Sequence, residues 1–170
     1  MATTKFPRRA LLLGGLAAFL SGCARKFRSY NGPAVTRLRI YKAQRLLMLD
    51  GADGVLKTYP IGLGFAPEGH KQFEGDGRTP EGSYLIDRRN PKSLFHLSIG
   101  ISYPNEADIA FAEALGRPPG KDIFIHGGPR PGVDPMDVLD WTAGCISVSD
   151  RQIEEIYAMV RKGTPIDIYA

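Results

Sequence analysis

A histidine and a cysteine flanked by glycines are the residues of this sequence best suited to covalent chemistry. His126 leaves an apolar stretch and precedes Gly127, and Cys145 follows Gly144. A thiol is a strong nucleophile only as the thiolate, and a nearby imidazolium such as that of His126 lowers its pKa. The glycines allow substrate and backbone to approach closely, and the Cys145 N–H could face the oxyanion of an acyl intermediate. By themselves, a histidine and a cysteine nineteen positions apart are weak evidence for catalysis, and the alternative is a packed histidine and an inert buried thiol.

The N-terminus predicts export. Basic residues precede an apolar run over residues 10–20, which is shorter than the roughly 20 residues that a membrane-spanning helix needs. The run ends in Leu20-Ser21-Gly22-Cys23, which resembles the lipobox of bacterial lipoprotein precursors. The resemblance implies a signal peptide over residues 1–22 and a lipid on Cys23. Ala24 stands where an inner-membrane retention signal would place Asp, so a periplasmic protein anchored in the outer membrane is expected.

Two other interpretations of this segment stay open. It could be an ordinary signal peptide that happens to contain a cysteine, and the Arg8-Arg9 pair could mark twin-arginine export. In either case residues 23–34 are predicted to be a tether, and residues 35–170 one folded domain. Once Cys23 is lipidated, Cys145 is the one remaining thiol in an oxidising compartment, and it is therefore either buried and inert or a reactive nucleophile.

Composition narrows the function classes. The chain has 170 residues, 43% of them hydrophobic, which is enough for one ordinary core. Its formal charge is +4, but Lys5, Arg8 and Arg9 lie in the predicted signal, and without them 19 basic side chains face 18 acidic ones. A domain so close to neutral has no electrostatic basis for binding nucleic acid.

The elements that position the two reactive residues are mostly short strands. Alternation and turn residues predict a mainly β fold without βαβ units, and the Gly51–Gly54 turn predicts a hairpin. Asn105 and Ser149 are expected to cap the two short helices. The predicted strands cover residues 35–42, 45–50, 55–62, 83–86, 95–101, 122–125 and 164–169, and the helices cover 106–115 and 150–161. His126 then lies at the exit of a buried strand.

Two motifs in order carry a resemblance to a known family. His126-Gly127, a loop, and Thr142-Ala143-Gly144-Cys145 resemble the active-site signature of the L,D-transpeptidase (YkuD) catalytic domain family. Upstream, Gly75 to Gly82 looks like the Thr-Pro-x-Gly turn of that family. The resemblance covers roughly residues 35–170 and implies a β-sandwich or barrel-like fold.

The resemblance also implies a reaction and residue roles. Cys145 would attack the carbonyl between the L and D centres of a peptidoglycan tetrapeptide stem, with His126 as base and then acid. The Gly127 carbonyl would orient the imidazole, Thr142 would occupy the Ser/Thr position, and Gly144 would belong to the oxyanion turn. No metal or organic cofactor is implied. The acyl group would pass to an amine, giving a cross-link, an exchanged D-amino acid or an attached protein, or to water.

This sequence departs from the family at two positions. Many members have His before the Gly-Cys pair and Arg two places after it, where this chain has Ala143 and Ser147. Because arginine is a planar donor suited to carboxylates, the substrate carboxylate is expected to be held differently. Ser147, Tyr103 and Trp141 are candidate substrate contacts, although Trp141 could simply pack.

Three functions follow from these observations. The first is a transpeptidase, and the second is a hydrolase of the same fold that trims stems or releases a linked outer-membrane lipoprotein. The third is a non-catalytic lipoprotein that binds peptidoglycan. The intact Cys145 and His126 argue for the first two, and the replaced positions keep the third open.

Overall fold

The computed structural model describes residues 26–128 and 139–170, so the predicted signal peptide and Cys23 lie outside the described residues. The described parts form eight strands and two helices. The strands are β1 (Arg37–Tyr41), β2 (Leu46–Gly51), β3 (Gly54–Pro60), β4 (Gly82–Asn90), β5 (Ser98–Ile101), β6 (Phe124–His126), β7 (Ile146–Ser147) and β8 (Pro165–Tyr169), and the helices are α1 (Glu106–Ala114) and α2 (Asp150–Met159).

The eight strands form one curled sheet in the order β3-β2-β1-β8-β4-β5-β6-β7. Only β1 with β8 and β6 with β7 pair in parallel among these neighbours. The segment that follows β3 returns to the opposite edge, where the Gly62 and Ser147 backbones exchange two hydrogen bonds of 2.9 Å. A further bridge joins Gly64 to Thr142. The sheet therefore closes on itself like a barrel, and the prediction of a mainly β, barrel-like fold is confirmed.

Alternating apolar residues explain why these strands share one core. In β1, Leu38 and Ile40 are fully buried, and their β2 partners Leu49 and Leu47 are too. Side chains point to alternate faces of a strand, so the residues between them face outward. The amphipathic α2 lays Ile153 on the same core.

The two predicted caps are present, and each belongs to a capping box. The Asn105 side chain accepts from the Asp108 N–H, and the Asp108 carboxylate accepts from the Asn105 N–H. Ser149 and Gln152 make the same reciprocal pair at α2. Each box satisfies two backbone donors that a helix start otherwise leaves unpaired.

Several boundaries differ from the sequence predictions. The strand predicted over residues 95–101 begins only at Ser98, because His96 takes a positive φ of 67°. Helix α2 ends at Met159, where Val160 turns extended. Strand β7 was not predicted, because two residues carry no periodicity.

The N-terminal segment, expected to be a tether, packs along the domain. It has no regular structure, yet the Lys26 ammonium donates to the Pro91 carbonyl at 3.0 Å and the Phe27 ring lies 6.2 Å from that of Tyr157. Arg28 pairs with Glu154 of α2 at 2.8 Å. No helix within residues 26–128 or 139–170 is long and apolar enough to cross a membrane.

Candidate active site

Strand register places the two reactive residues on the same face of the sheet. Ile125 of β6 pairs with Ile146 of β7, and both side chains are fully buried in the core. Because side chains alternate, the residues on either side of these isoleucines point to the opposite face of the sheet. His126 and Cys145 are two of these residues, and they therefore lie in neighbouring rows of that face, where His126 is buried and Cys145 is partly exposed.

The Cys145 thiol contacts the backbone just before strand β6. Its Sγ donates to the Asp122 carbonyl oxygen at 3.5 Å. Burial raises the pKa of this thiol above its ordinary value, the Asp122 charge raises it further, and a Phe124 backbone hydrogen bond and the Lys71 charge oppose the rise. The thiol is therefore protonated in the resting protein at neutral pH.

The His126 imidazole is held between two aromatic rings. Its centroid lies 4.5 Å from that of Phe95, in a stacked arrangement, and 5.5 Å from that of Trp141. Its Nδ1 lies 2.7 Å from the Gly127 carbonyl oxygen, and because a carbonyl can only accept, Nδ1 carries the proton. Burial lowers the His126 pKa, partly opposed by that hydrogen bond. The ring is therefore neutral, with its basic lone pair on Nε2.

The resting pair is thus a neutral thiol and a neutral imidazole. This differs from the expectation that a nearby imidazolium would hold Cys145 as a thiolate. The physical reason is burial, which disfavours the charged form of each group and is the largest contribution to both pKa shifts. His126 is consequently suited to remove the thiol proton as Cys145 attacks, rather than beforehand.

The turn before Cys145 is built by Thr142. Its hydroxyl donates to the Cys145 carbonyl at 2.6 Å and accepts from the Gly144 N–H at 3.2 Å. Gly144 has a φ of 130°, and a Cβ there would lie 2.6 Å from the Arg78 carbonyl oxygen. A side chain at residue 144 is therefore excluded by both backbone conformation and space. Since the Gly144 N–H is already bonded, the Cys145 N–H remains the expected oxyanion donor in this turn.

A second close approach explains the glycine after His126. A Cβ on Gly127 would lie 2.4 Å from Asp150 Oδ1 and 2.7 Å from the Phe95 carbonyl oxygen. Asp150 begins α2 and accepts from the Gly128 N–H at 3.1 Å. The His-Gly-Gly stretch thus lets the start of α2 pack against the backbone next to His126.

The candidate substrate contacts fall in three different surroundings. Ser147 is buried in β7, where its backbone pairs with Gly62. Tyr103 is also buried, and its hydroxyl donates to the Pro119 carbonyl at 2.9 Å. Trp141 packs edge-on against the His126 ring. Of the three, Trp141 lies against a reactive group and is partly accessible.

A buried ion pair near the cysteine was missed in the sequence. Lys71 Nζ lies 2.8 Å from Asp76 Oδ1, with both side chains about 95% buried (4% and 5% exposed), and the Lys71 charge acts on the Cys145 thiol. Asp76 also accepts from the Arg78 N–H at 3.0 Å. The Gly-Asp-Gly-Arg run marked this turn, but nothing in the sequence pairs Lys71 with it.

The other two histidines have structural partners. His70 accepts from the Glu81 N–H at 2.9 Å and lies 3.0 Å from Asp108, and His96 lies 2.9 Å from Glu154. Among the residues that the structure describes, no group of three or more His, Cys, Asp or Glu could hold a metal ion.

Comparison with known proteins adds the evolutionary relationship. Residues 36–168 match the family model described as the L,D-transpeptidase catalytic domain, YkuD. The chain is 30% identical over 129 residues to "Putative L,D-transpeptidase YafK" of Escherichia coli K12, covering 72% of this chain and 46% of that protein. It therefore spans about half the length of the curated relatives it matches.

Solved structures agree on the fold. The helical cell shape determining protein Pgp2 of Campylobacter jejuni is 26% identical, with a TM-score of 0.62 covering 82% of this chain and 49% of that one. An L,D-transpeptidase from Mycobacterium smegmatis, at 14% identity and a TM-score of 0.54 over 81% of this chain and 59% of that one, shares the fold. The chain belongs to the L,D-transpeptidase (YkuD) catalytic domain family.

Proposed function

We propose that this protein is a cysteine acyltransferase that joins a peptidoglycan stem peptide to an amine. The observation that carries this proposal is that strand register places His126 and Cys145 in neighbouring rows of one face, while the Gly127 carbonyl fixes the His126 tautomer and leaves Nε2 as the basic nitrogen. Family membership supports a peptidoglycan-related role. The cell-shape function in the name of the Campylobacter relative is consistent with it.

The geometry supports a two-stage mechanism. The Cys145 proton passes to His126 Nε2 as sulfur bonds to the carbonyl carbon between an L and a D residue, and the carbonyl electrons move to oxygen. When the oxyanion collapses, the carbon–nitrogen bond breaks and the imidazolium gives its proton to the leaving amine. An acceptor amine then loses a proton to Nε2 and attacks the thioester, and the departing sulfur regains the proton.

Hydrolysis is the second candidate. Its specific support is Ser147, which stands where many relatives carry arginine and is buried against Gly62. A site that lacks this donor has one contact fewer for a carboxylate, which favours substrates other than free stems, including stems linked to a lipoprotein. With water as acceptor, the same acyl-enzyme gives a trimmed stem or a released protein.

Peptidoglycan products separate these functions. We would incubate purified protein and its Cys145→Ser variant with peptidoglycan and a D-amino acid, and analyse the muropeptides by mass spectrometry. New cross-links or exchanged stems made only by the unaltered protein establish transpeptidation. Trimmed stems or released protein establish hydrolysis. If neither variant changes any substrate while both bind peptidoglycan, the non-catalytic lipoprotein is the correct description.

We also propose that the protein is exported and anchored through Cys23 in the outer membrane. The support is the lipobox-like Leu20-Ser21-Gly22-Cys23 sequence. Metabolic labelling with a fatty acid should mark the unaltered protein and leave Cys23→Ala unlabelled, with the Cys145→Ser variant as a labelled control. Equal labelling of both cysteine variants contradicts the anchor.

A further inference from the structure

Arg88 lies in the same cross-strand row as the nucleophile. It pairs with Gly100 of β5, and Gly100 pairs with Phe124 of β6. Cys145 comes one residue before Ile146, the first residue of β7, and continuing the Ile125–Ile146 register places it opposite Phe124. A register shift between Ile86 and Arg88 brings Arg88 into this row, and such bulges re-aim side chains.

The Arg88 side chain extends along this row toward Cys145. It crosses β5 at Gly100, where a Cβ would lie 2.4 Å from Arg88 Cγ and Nε. Its guanidinium carbon then lies 4.8 Å from the centre of the Phe124 ring. Because neighbouring strands are about 4.8 Å apart, the guanidinium is about 5–10 Å from the row position of Cys145.

The charged partners of Arg88 are weakly held. Nη1 lies 3.0 Å from Asp122 Oδ1, and these side chains are 40% and 51% exposed. Such exposed pairs contribute little to stability. Asp87 Oδ1 is 3.2 Å from Nε, and both of these atoms are buried, so neither can contact a ligand. The donors open to a carboxylate are therefore those of the terminal nitrogens, where the described residues supply one carboxylate partner, Asp122.

Distances in a stem peptide fit this position. A carbonyl carbon ready for attack lies about 3–3.5 Å from the sulfur. One extended residue spans about 3.3–3.6 Å, so the carboxylate of the residue beyond the scissile bond lies about 5–7 Å from Cys145. A guanidinium at about 5–10 Å can therefore meet it.

We propose that Arg88 binds the terminal carboxylate of the stem peptide, and that Asp122 is the counter-ion it exchanges for that carboxylate. The proposal rests on the proposed function and names a residue that replaces the arginine missing at Ser147. Two carboxylates, those of Asp87 and Asp122, already lie beside the Arg88 guanidinium and would repel the carboxylate of the substrate. The Asp122 side chain must therefore turn away when substrate binds. Arg88 and Asp122 should consequently have opposite effects on substrate affinity.

Binding to an inactive protein tests this directly. In the Cys145→Ser background of the full chain, we would titrate a tetrapeptide stem with a free terminal carboxylate and the same peptide as its terminal amide. The fluorescence of Trp141, the single tryptophan, reports binding beside His126. Arg88→Gln should weaken binding of the acid about tenfold or more and leave the amide nearly unchanged. Asp122→Asn should strengthen binding of the acid relative to the amide.

A matched control separates recognition from structure. Arg37 is a half-exposed arginine paired with Asp167 on β1 and β8, and Arg37→Gln should change neither affinity. If Arg88→Gln binds acid and amide with unchanged affinities while the unaltered enzyme consumes the acid, the Arg88 proposal alone is wrong. Equal losses for both peptides, or matching losses in Arg88→Gln and Asp122→Asn, also overturn it. If the unaltered enzyme consumes neither peptide and the inactive protein binds neither, the proposed function falls and the subsite with it.

Discussion

At the scale of single residues, the main feature is that the Cys145 thiol and the His126 imidazole are both neutral before substrate binds. Burial favours the neutral forms of Cys145 and His126, and the Gly127 carbonyl keeps the imidazole proton on Nδ1. Proton transfer then coincides with attack on the substrate. A neutral thiol is also less exposed to chance alkylation or oxidation than a thiolate.

The neutral pair predicts how Cys145 reacts with pH. Since its pKa is raised, the thiolate forms only above the ordinary value of about 8.5. Alkylation by iodoacetamide should therefore rise with a midpoint above about pH 8.5, and His126→Gln should leave that midpoint nearly unchanged. A midpoint below about pH 7 that His126→Gln moves upward would instead reveal a preformed ion pair.

Turnover should follow the histidine instead. Because burial lowers the His126 pKa below about 6.5, the base stays neutral and competent as the pH falls through that value. The rate of acyl-enzyme formation should thus persist at pH 6.5 and decline only at lower pH, as the imidazole protonates. Rapid-quench mass spectrometry of the acyl-enzyme measures this, and a decline beginning above pH 7 would contradict it.

At the scale of elements, the loop between β3 and β4 supports the catalytic turn. The Asp76 carboxylate accepts from Lys71 and from three backbone N–H groups of the loop. The loop in turn brings the Arg78 carbonyl against Gly144. Lys42, buried beneath, donates to the Gly69 and Thr79 carbonyls and ties the loop to the end of β1.

Removing the Asp76 charge should destabilise the fold. Asp76→Asn breaks a buried ion pair, and we expect it to lower the free energy of unfolding at pH 7 by about 3–5 kcal/mol. Burial raises the Asp76 pKa, but its hydrogen bonds and the Lys71 charge outweigh burial and hold that pKa below its usual value. Its contribution is therefore present above about pH 3.9 and is lost as the pH falls through the lowered pKa.

Urea unfolding of both proteins at pH 7 and at acid pH checks this. The gap in unfolding free energy should narrow toward low pH, and a gap independent of pH would show that shape rather than charge matters at residue 76. Asp53→Asn, in the exposed turn between β2 and β3, is the control and should change stability by less than about 0.5 kcal/mol.

The sequence predicted the elements that carry periodicity or caps, and the structure shows why other elements could not be predicted. Strand β1 and both capping boxes follow from local patterns. Strand β7 forms because β6 and Gly62 pair with it on either side. The sequence of its two residues carries no sign of these distant partners. Likewise, the glycines mark where backbones meet, but the meeting of Gly144 with Arg78 depends on the tertiary fold.

The candidate site was predictable in its reactive residues and not in its surroundings. His126 and Cys145 stand in recognisable motifs, whereas the aromatic cage of Phe95 and Trp141 joins distant segments. The protonation states were also beyond the sequence, because burial decides them. Arg88 had no local signal, since its row depends on the bulge in β4.

At the scale of the whole molecule, the N-terminal segment is part of the folded body. Phe27 packs on Tyr157, and Arg28 pairs with Glu154, whose other oxygen lies 2.9 Å from His96. The segment that follows Cys23 in the sequence therefore packs against α2 and helps to hold that helix in place. If Cys23 carries lipid, two residues, Ala24 and Arg25, separate it in the sequence from the packed segment that begins at Lys26.

Deleting this segment tests its contribution. A chain that begins at residue 35 should be less stable than one that begins at residue 26 by about 1 kcal/mol or more, from the lost aromatic contact and ion pairs. The rate of acyl-enzyme formation should change little, because none of these residues touches Cys145. Thermal unfolding and acylation measured on both chains give the answer, and equal stability would show that the packing is incidental.

The closure of the sheet affects the order in which parts of the protein fold. The nucleophile stands at a seam where residues 62–65 meet residues 142–147, segments far apart in the sequence. Contacts of such long range are costly in chain entropy and form slowly. Most strands of the sheet can pair before residues 62–65 contact residues 142–147. A refolding molecule should therefore regain its strands before it regains the arrangement around Cys145. If the protein has the proposed activity, that activity should therefore appear late in folding, after most of the sheet has formed.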